Sequence, residues 1–299
     1  MYKRIFFLLF LVPLFSTAQN KMTPELLWKL GRVSALGISK DGRYIVYSVS
    51  TPNAETNKSS RKFYTLPVTG GNPTEVSSTD NLLNDKNISP DGKYMLSNKE
   101  VKIKKISGSD YYPALSKSNV YIFNDLNNRH WDTWEDGSFD HVFVTPVGKP
   151  DAAKDIMPGE PYDAPTKPFG GDEDYVWRPD GKAVVYVSKK KYGKAYAIST
   201  NSDLYEYNLE TGTTKNLTES NKGYDLNPSF SSNGTLAWLQ MKREGYEADK
   251  QDIVASTGLG TVNLTHHRDD IHVEGFRWSD DGKTIFFYAP NNGTLQLFS

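Results

Sequence analysis

Trp177-Arg178-Pro179-Asp180-Gly181-Lys182-Ala183-Val184-Val185-Tyr186 is a phrase to which the chain keeps returning. It makes physical sense as a tight reversal feeding a strand. Proline presets φ at the first central turn position, aspartate bonds its own backbone, and glycine takes the positive φ that closes the turn. The apolar run that follows is nearly continuous, as in a strand covered on both faces. Upstream, the phrase reads Ser39-Lys40-Asp41-Gly42-Arg43-Tyr44-Ile45-Val46-Tyr47 and Ser89-Pro90-Asp91-Gly92-Lys93-Tyr94-Met95-Leu96. Downstream come a weaker copy, Phe230-Ser231-Ser232-Asn233-Gly234-Thr235-Leu236-Ala237-Trp238, and Trp278-Ser279-Asp280-Asp281-Gly282-Lys283-Thr284-Ile285-Phe286-Phe287-Tyr288.

The turn residues stand at 41, 91, 180, 233 and 281, with separations of 50, 89, 53 and 48. A second pair of strand signals follows the turns. The third unit has Leu204–Leu209, Thr211-Gly212 and Lys215–Thr218. The fourth has Ile253–Ala255 and Val262–Thr265, the first Phe63–Val68 and Thr74–Ser77, the second Val142–Val147 and Asp155–Met157. Each unit is therefore a small antiparallel sheet of roughly fifty residues, the signature of a propeller blade. A β-sandwich also has turns, but no period of this length. The spacing predicts an all-β chain, an incomplete β-propeller of four blades plus part of a fifth over residues 33–299. The fifth unit reaches Leu295–Ser299, which matches Leu204–Leu209, so the expectation is a chain that stops inside a blade. Closure of a ring on the first four blades is the alternative.

Two segments fall outside the period. Thr23-Pro24-Glu25-Leu26-Leu27-Trp28-Lys29-Leu30-Gly31 predicts a short helix within a lead-in over 19–32, with Thr as N-cap and Pro at the first helical position. Residues 98–140 read as an insertion in the second blade and account for the 89-residue gap. Residues 1–18 read as a cleavable export signal: Lys3 and Arg4, an apolar run from Ile5 to Phe15, then small residues up to a cut after Ala18. An 11-residue apolar run is too short to span a bilayer. The chain has no cysteine, so disulfides and thiolate metal sites are excluded. A net charge of −1 gives no basic footprint for nucleic acid. The expected location is periplasmic or secreted, with no membrane attachment once the signal is removed.

On the opening Met22–Trp28, the insert Arg129-His130-Trp131-Asp132-Thr133-Trp134, Pro168-Phe169-Gly170-Gly171-Asp172-Glu173-Asp174 and Arg243-Glu244-Gly245-Tyr246-Glu247-Ala248-Asp249, the chain resembles the prolyl oligopeptidase family of serine peptidases. More narrowly it is similar to the dipeptidyl peptidase V and acylaminoacyl-peptidase branch. The resemblance covers nearly all of the mature chain. It implies an N-terminal propeller that gates and positions short peptides for a C-terminal α/β-hydrolase domain carrying Ser, Asp and His. No G-x-S-x-G nucleophile elbow occurs in these 299 residues, so no catalytic residue can be assigned. The expectation is a non-catalytic part with its hydrolase domain absent, inactive alone. The alternative is a non-enzymatic, TolB-like binding propeller.

Eight residues are candidates for substrate binding: Glu173, Asp174, Arg243, Glu247, Asp249, Arg129, Trp131 and Asp132. A carboxylate of the Gly-Gly loop could pair with a peptide ammonium group, against the reading of a solvated acidic loop. Arg243, Glu247 and Asp249 could equally pair among themselves. The Arg129–Trp134 cluster could instead be a plug with Trp131 and Trp134 buried and Asp132 tying a turn. His266, His267, Asp269, Asp270 and His272 lack regular metal-ligand spacing and read as a polar loop. No metal and no cofactor are expected.

Overall fold

A computed structural model describes residues 21–299, which form two compact units, one reaching to Asp85 and one from Lys86 to Ser299. The expected export signal lies outside the described residues.

The first unit opens with α1 (Pro24–Lys29), where Thr23 Oγ1 accepts from the Leu26 N–H at 3.1 Å. β1 (Arg32–Ile38), β2 (Tyr44–Asn53), β3 (Lys58–Pro67) and β4 (Thr74–Val76) follow as an antiparallel meander in sequence order. Tyr47 and Tyr64, directly opposite one another, stack at 5.3 Å.

The second unit holds four further sheets. The first of them pairs β5 (Tyr94–Lys102) across a long insertion with a later strand. The insertion carries α2 (Gly108–Tyr111) and a hairpin of β6 (Arg129–His130) and β7 (Thr133–Trp134). β8 (Ser138–Pro146) then returns along β5 over nine residue pairs, and β9 (Lys154–Asp155) flanks it. The connection that leaves the sheet is thus 103–137. A single bridge from Ile88 to Met95 stands where the other sheets have a first strand.

The next sheet is β10 (Tyr175–Trp177), β11 (Ala183–Ser188), β12 (Asp203–Asn208) and β13 (Thr214–Asn216), with α3 (Lys194–Ile198) between β11 and β12. It is followed by β14 (Asp225–Phe230), β15 (Leu236–Gln240), β16 (Asp252–Thr257) and β17 (Gly260–Asn263). The last sheet has three strands, β18 (Gly275–Trp278), β19 (Ile285–Asn291) and β20 (Thr294–Phe298). Every pairing within these sheets is antiparallel and in sequence order. The chain is all-β with a β-propeller fold, carrying three short α-helices among the described residues, of which the sequence foretold only α1.

In the second unit, the core lies between successive sheets. Leu96, Val142, Val144, Ile156 and Met157 pack against Tyr175, Trp177, Val184 and Tyr186. On the other face, Val185, Val187 and Leu204 pack against Leu236, Trp238 and Val254. This is why β11 reads as unbroken Ala-Val-Val-Tyr-Val: all of its six residues are buried, since both faces meet a neighbour. Each buried side chain of this size is worth roughly 1.5–3 kcal/mol. The tryptophan indoles also reach between sheets, Trp177 Nε1 donating to the Asn87 carbonyl at 2.8 Å and Trp278 Nε1 to that of Ser229 at 3.3 Å.

Candidate functional site

Because each sheet is a meander, its Asp-Gly turn sits at one end, while the connection from second to third strand and the linker to the next sheet sit at the other. In the second unit, the connections at that other end enclose a cavity of about 710 Å³. The insertion hairpin supplies His130 and Trp131. The linker before β10 supplies Thr166–Gly170, Glu173 and Asp174. Lys189 follows β11, Tyr224 precedes β14, and Glu247 comes from the connection after β15.

The linker is held in a fixed shape by Asp174. Its carboxylate is 2% exposed and accepts from the Thr166 N–H at 2.8 Å and the Thr166 hydroxyl at 2.7 Å. Burial pushes its pKa up to about 6, against those two hydrogen bonds. Gly170 lies inside the closed loop, donating to the Thr166 carbonyl at 2.6 Å. A Cβ there would sit 2.2 Å from the Asp174 carboxylate and 2.4 Å from the Thr166 carbonyl oxygen, so only glycine fits. The reading of a solvated acidic loop therefore holds for exposed Glu173 and fails for Asp174.

Beside the loop, Lys167 Nζ lies 3.1 Å from Asp163, 3.6 Å from Asp140 and 4.0 Å from Glu100. Burial works against its charge, but Asp163 and Asp140 outweigh it and hold its pKa above the ordinary lysine value. Phe169 is 81% exposed and meets Trp131 edge-on at 5.6 Å. Trp131 has φ of +47° at the hairpin tip, a conformation uncommon for a bulky side chain, and is 68% exposed. That exposure overturns the buried-plug reading of the two tryptophans. Trp134 is also exposed and stacks on Tyr121 at 5.7 Å and Phe123 at 5.9 Å, within the insertion itself.

The structure thus brings Trp131, Glu173, Asp174 and Glu247 to one cavity. It does not bring Arg129, Asp132, Arg243 or Asp249 there. Arg129 lies over the Trp134 ring at 5.4 Å, and Asp132 is exposed at the hairpin tip. Arg243 Nε donates to Asp249 Oδ1 at 2.8 Å, while Asp249 Oδ2 accepts from the backbone N–H groups of Lys242 and Arg243. This pair closes its own loop and leaves Glu247 to the cavity. Of the histidine-rich stretch, His266 Nδ1 lies 2.9 Å from the Asn263 carbonyl, His272 Nδ1 accepts from the Gln251 N–H, and Asp270 pairs with Arg268. Among the described residues, no three His, Asp or Glu side chains gather in a way that could hold a metal.

Phe169, Lys189 and Tyr224 are cavity residues that the sequence reading missed. The available signal was position: each falls in a segment at the end opposite the Asp-Gly turns.

The curated protein dipeptidyl-peptidase 5 of Porphyromonas gingivalis is 36% identical over 325 residues, covering 93% of this chain and 47% of that protein. Dipeptidyl-peptidase 5 of Porphyromonas endodontalis is 33% identical, covering 79% of this chain and 41% of its own length. The chain spans about half the length of the curated relatives it matches, or less. Among solved structures, the acylaminoacyl peptidase of Pyrococcus horikoshii superposes with a TM-score of 0.60 at 13% identity, over 90% of this chain and 45% of that one, which is a likeness of fold. No family model matches the sequence. With the blade sheets and their turns, these findings define the class as a peptidase propeller. Within it, the chain belongs to the prolyl oligopeptidase family, where it corresponds to the propeller portion of the dipeptidyl-peptidase 5 branch.

Proposed function

We propose that this chain is the substrate-holding propeller of an exported peptidase of the dipeptidyl/acylaminoacyl type, on its dipeptidyl, free-amine arm, gating and positioning short peptides for a hydrolase domain that supplies the Ser-Asp-His chemistry. The observation that carries the reading is the convergence of Glu173, Asp174 and Glu247 with Trp131, Phe169 and Tyr224 on one cavity. Carboxylates suit a peptide's terminal ammonium group, and the rings suit its apolar flanks. Asp174 shapes the loop, leaving exposed Glu173 and Glu247 as the anions open to a ligand. Residues 1–18, which read as a signal, support a periplasmic or secreted location. Among the described residues, no helix is long and apolar enough to cross a membrane.

Calorimetric titration of the chain with trialanine and with N-acetyl-trialanine tests this. The free amine binds, and acetylation, which removes the charge, weakens binding roughly tenfold or more. Glu173→Gln and Glu247→Gln each weaken the free amine and leave the acetylated peptide unchanged. Equal affinity of the two peptides would contradict the reading.

A further inference from the structure

We propose that Lys189 is a carboxylate-binding residue of this cavity, so that its ligands are short peptides bearing both a free amino end and a carboxylate close to it. This rests on the ammonium-binding reading above and adds the other pole of the ligand. The inference comes from comparing three lysines in this part of the second unit. Lys167 has Asp163 at 3.1 Å and Asp140 at 3.6 Å. Lys190 has Glu160 at 2.5 Å. Lys189, one residue beyond the end of β11 and lining the cavity, has no carboxylate within ion-pair distance among the described residues. Its ammonium group lies instead 4.1 Å from the centre of the Tyr196 ring.

A ring face attracts a cation, but it does not replace acceptors for three N–H donors. The charge is also partly withdrawn from water. Burial lowers its pKa below the ordinary lysine value, Glu247 pulls it back and Lys191 adds to the depression. Desolvating an ammonium group without an anion costs free energy that a bound anion would return. Lys189 therefore lines the cavity with donors that meet no carboxylate at ion-pair distance and with a charge that Glu247 offsets only in part.

The rest of the cavity decides which anion. Glu173, Asp174 and Glu247 line the same space, and their charges disfavour a polyanion such as phosphate. A monoanionic carboxylate tethered to an ammonium group adds no net charge. It offers one pole to Lys189 and the other to the carboxylates. About 710 Å³ is within the range that encloses small ligands. The carboxylate could be a peptide's C-terminus or an acidic side chain, and both present the same two oxygens.

The test is calorimetry on the full chain with trialanine, trialanine amide and Ala-Glu-Ala amide. The free acid should bind roughly tenfold or more tightly than its amide, as expected for one charge-assisted contact. Lys189→Met, which keeps an unbranched side chain and removes the charge, should bring acid and amide to equal affinity, and Lys189→Arg should keep the preference. Ala-Glu-Ala amide matching the free acid would assign a side-chain carboxylate to Lys189. If it matches the plain amide, the C-terminus is the source. Equal affinity of trialanine and its amide for the unmodified chain overturns the proposal and leaves the ammonium reading standing. Binding of neither peptide overturns both.

Discussion

Asp41, Asp91 and Asp281 on one side, and Asp174 and Asp225 on the other, show how position sets what one residue type does. In the turns, the aspartate accepts from the N–H two residues on and from the hydroxyl of the serine two residues before, Ser39 to Asp41 at 2.6 Å and Ser89 to Asp91 at 2.7 Å. That serine then accepts from the first N–H of the strand, Tyr44 or Tyr94, at 2.9 Å. Asp41 and Asp91 are held at pKa values of about 2 by partners that favour the carboxylate, Ser39 foremost for the first and Lys93 for the second. Asp225 is instead fully buried, between the cavity-lining Tyr224 and Leu226 in the chain, accepting from the Trp238 indole and the Gln240 amide at 2.7 Å each. Burial pushes its pKa up to about 6, as it does for Asp174. A raised carboxyl pKa means the folded chain keeps a proton that the unfolded chain has released. Stability should therefore fall as pH rises from about 4 to about 6 and level off above, by on the order of 3 kcal/mol per group. Burial raises Glu135 and Asp163 in the same direction. Urea unfolding of the chain at pH 4.5 and 7 should place the higher midpoint at the lower pH. The Asp174→Asn, Asp225→Asn double variant should flatten that difference, and a midpoint rising with pH would contradict the assignment.

Elements differed in how far they could be read in advance. The strands after each Asp-Gly turn were legible because β11 and β15 are short apolar runs bounded by turn chemistry, and local pattern decides such segments. α1 was legible from Thr23 and Pro24. The serine of four of the five turns was in plain view at 39, 89, 231 and 279, with Arg178 in its place in the third, but its role appears only once its hydroxyl is seen to bond both the aspartate or asparagine and a backbone N–H at or just before the strand. α3 gives no capping signal, since Gly193 precedes it and no side chain caps it. The burial of Asp174 was illegible for a different reason. An Asp-Glu-Asp run reads as solvated, and only the fold over Thr166 takes its last member out of water. The loop carrying it gives the prediction at this scale. Gly170→Ala places a methyl against backbone that cannot retreat, so it should cost about 1–3 kcal/mol and weaken trialanine binding several-fold. Unchanged stability and affinity would show that the loop is looser than its hydrogen bonds imply.

At the scale of the molecule, the fifty-residue period was the strongest signal in the sequence, and the five sheets follow it. The candidate site was half legible. Trp131, Glu173, Asp174 and Glu247 were named from the charge and ring chemistry of segments that carry the family resemblance, but their meeting point was not, because the cavity is assembled from connections of three successive sheets that share no sequence pattern. The last sheet shows what a neighbour does for its predecessors. In β19 burial alternates along the strand, with Phe286 and Tyr288 outward, and Leu297 of β20 stands with them. The matching face of the third sheet, Val185, Val187 and Leu204, is covered by the fourth. These 299 residues contain no G-x-S-x-G elbow, and the proposed function has the chain hold peptides for a hydrolase domain that cuts them. Equilibrium dialysis of the chain against trialanine, with chromatography of the peptide afterwards, measures both at once. The account predicts that peptide accumulates on the protein side and is recovered intact. Failure to accumulate, or recovery as alanine and dialanine, would contradict it.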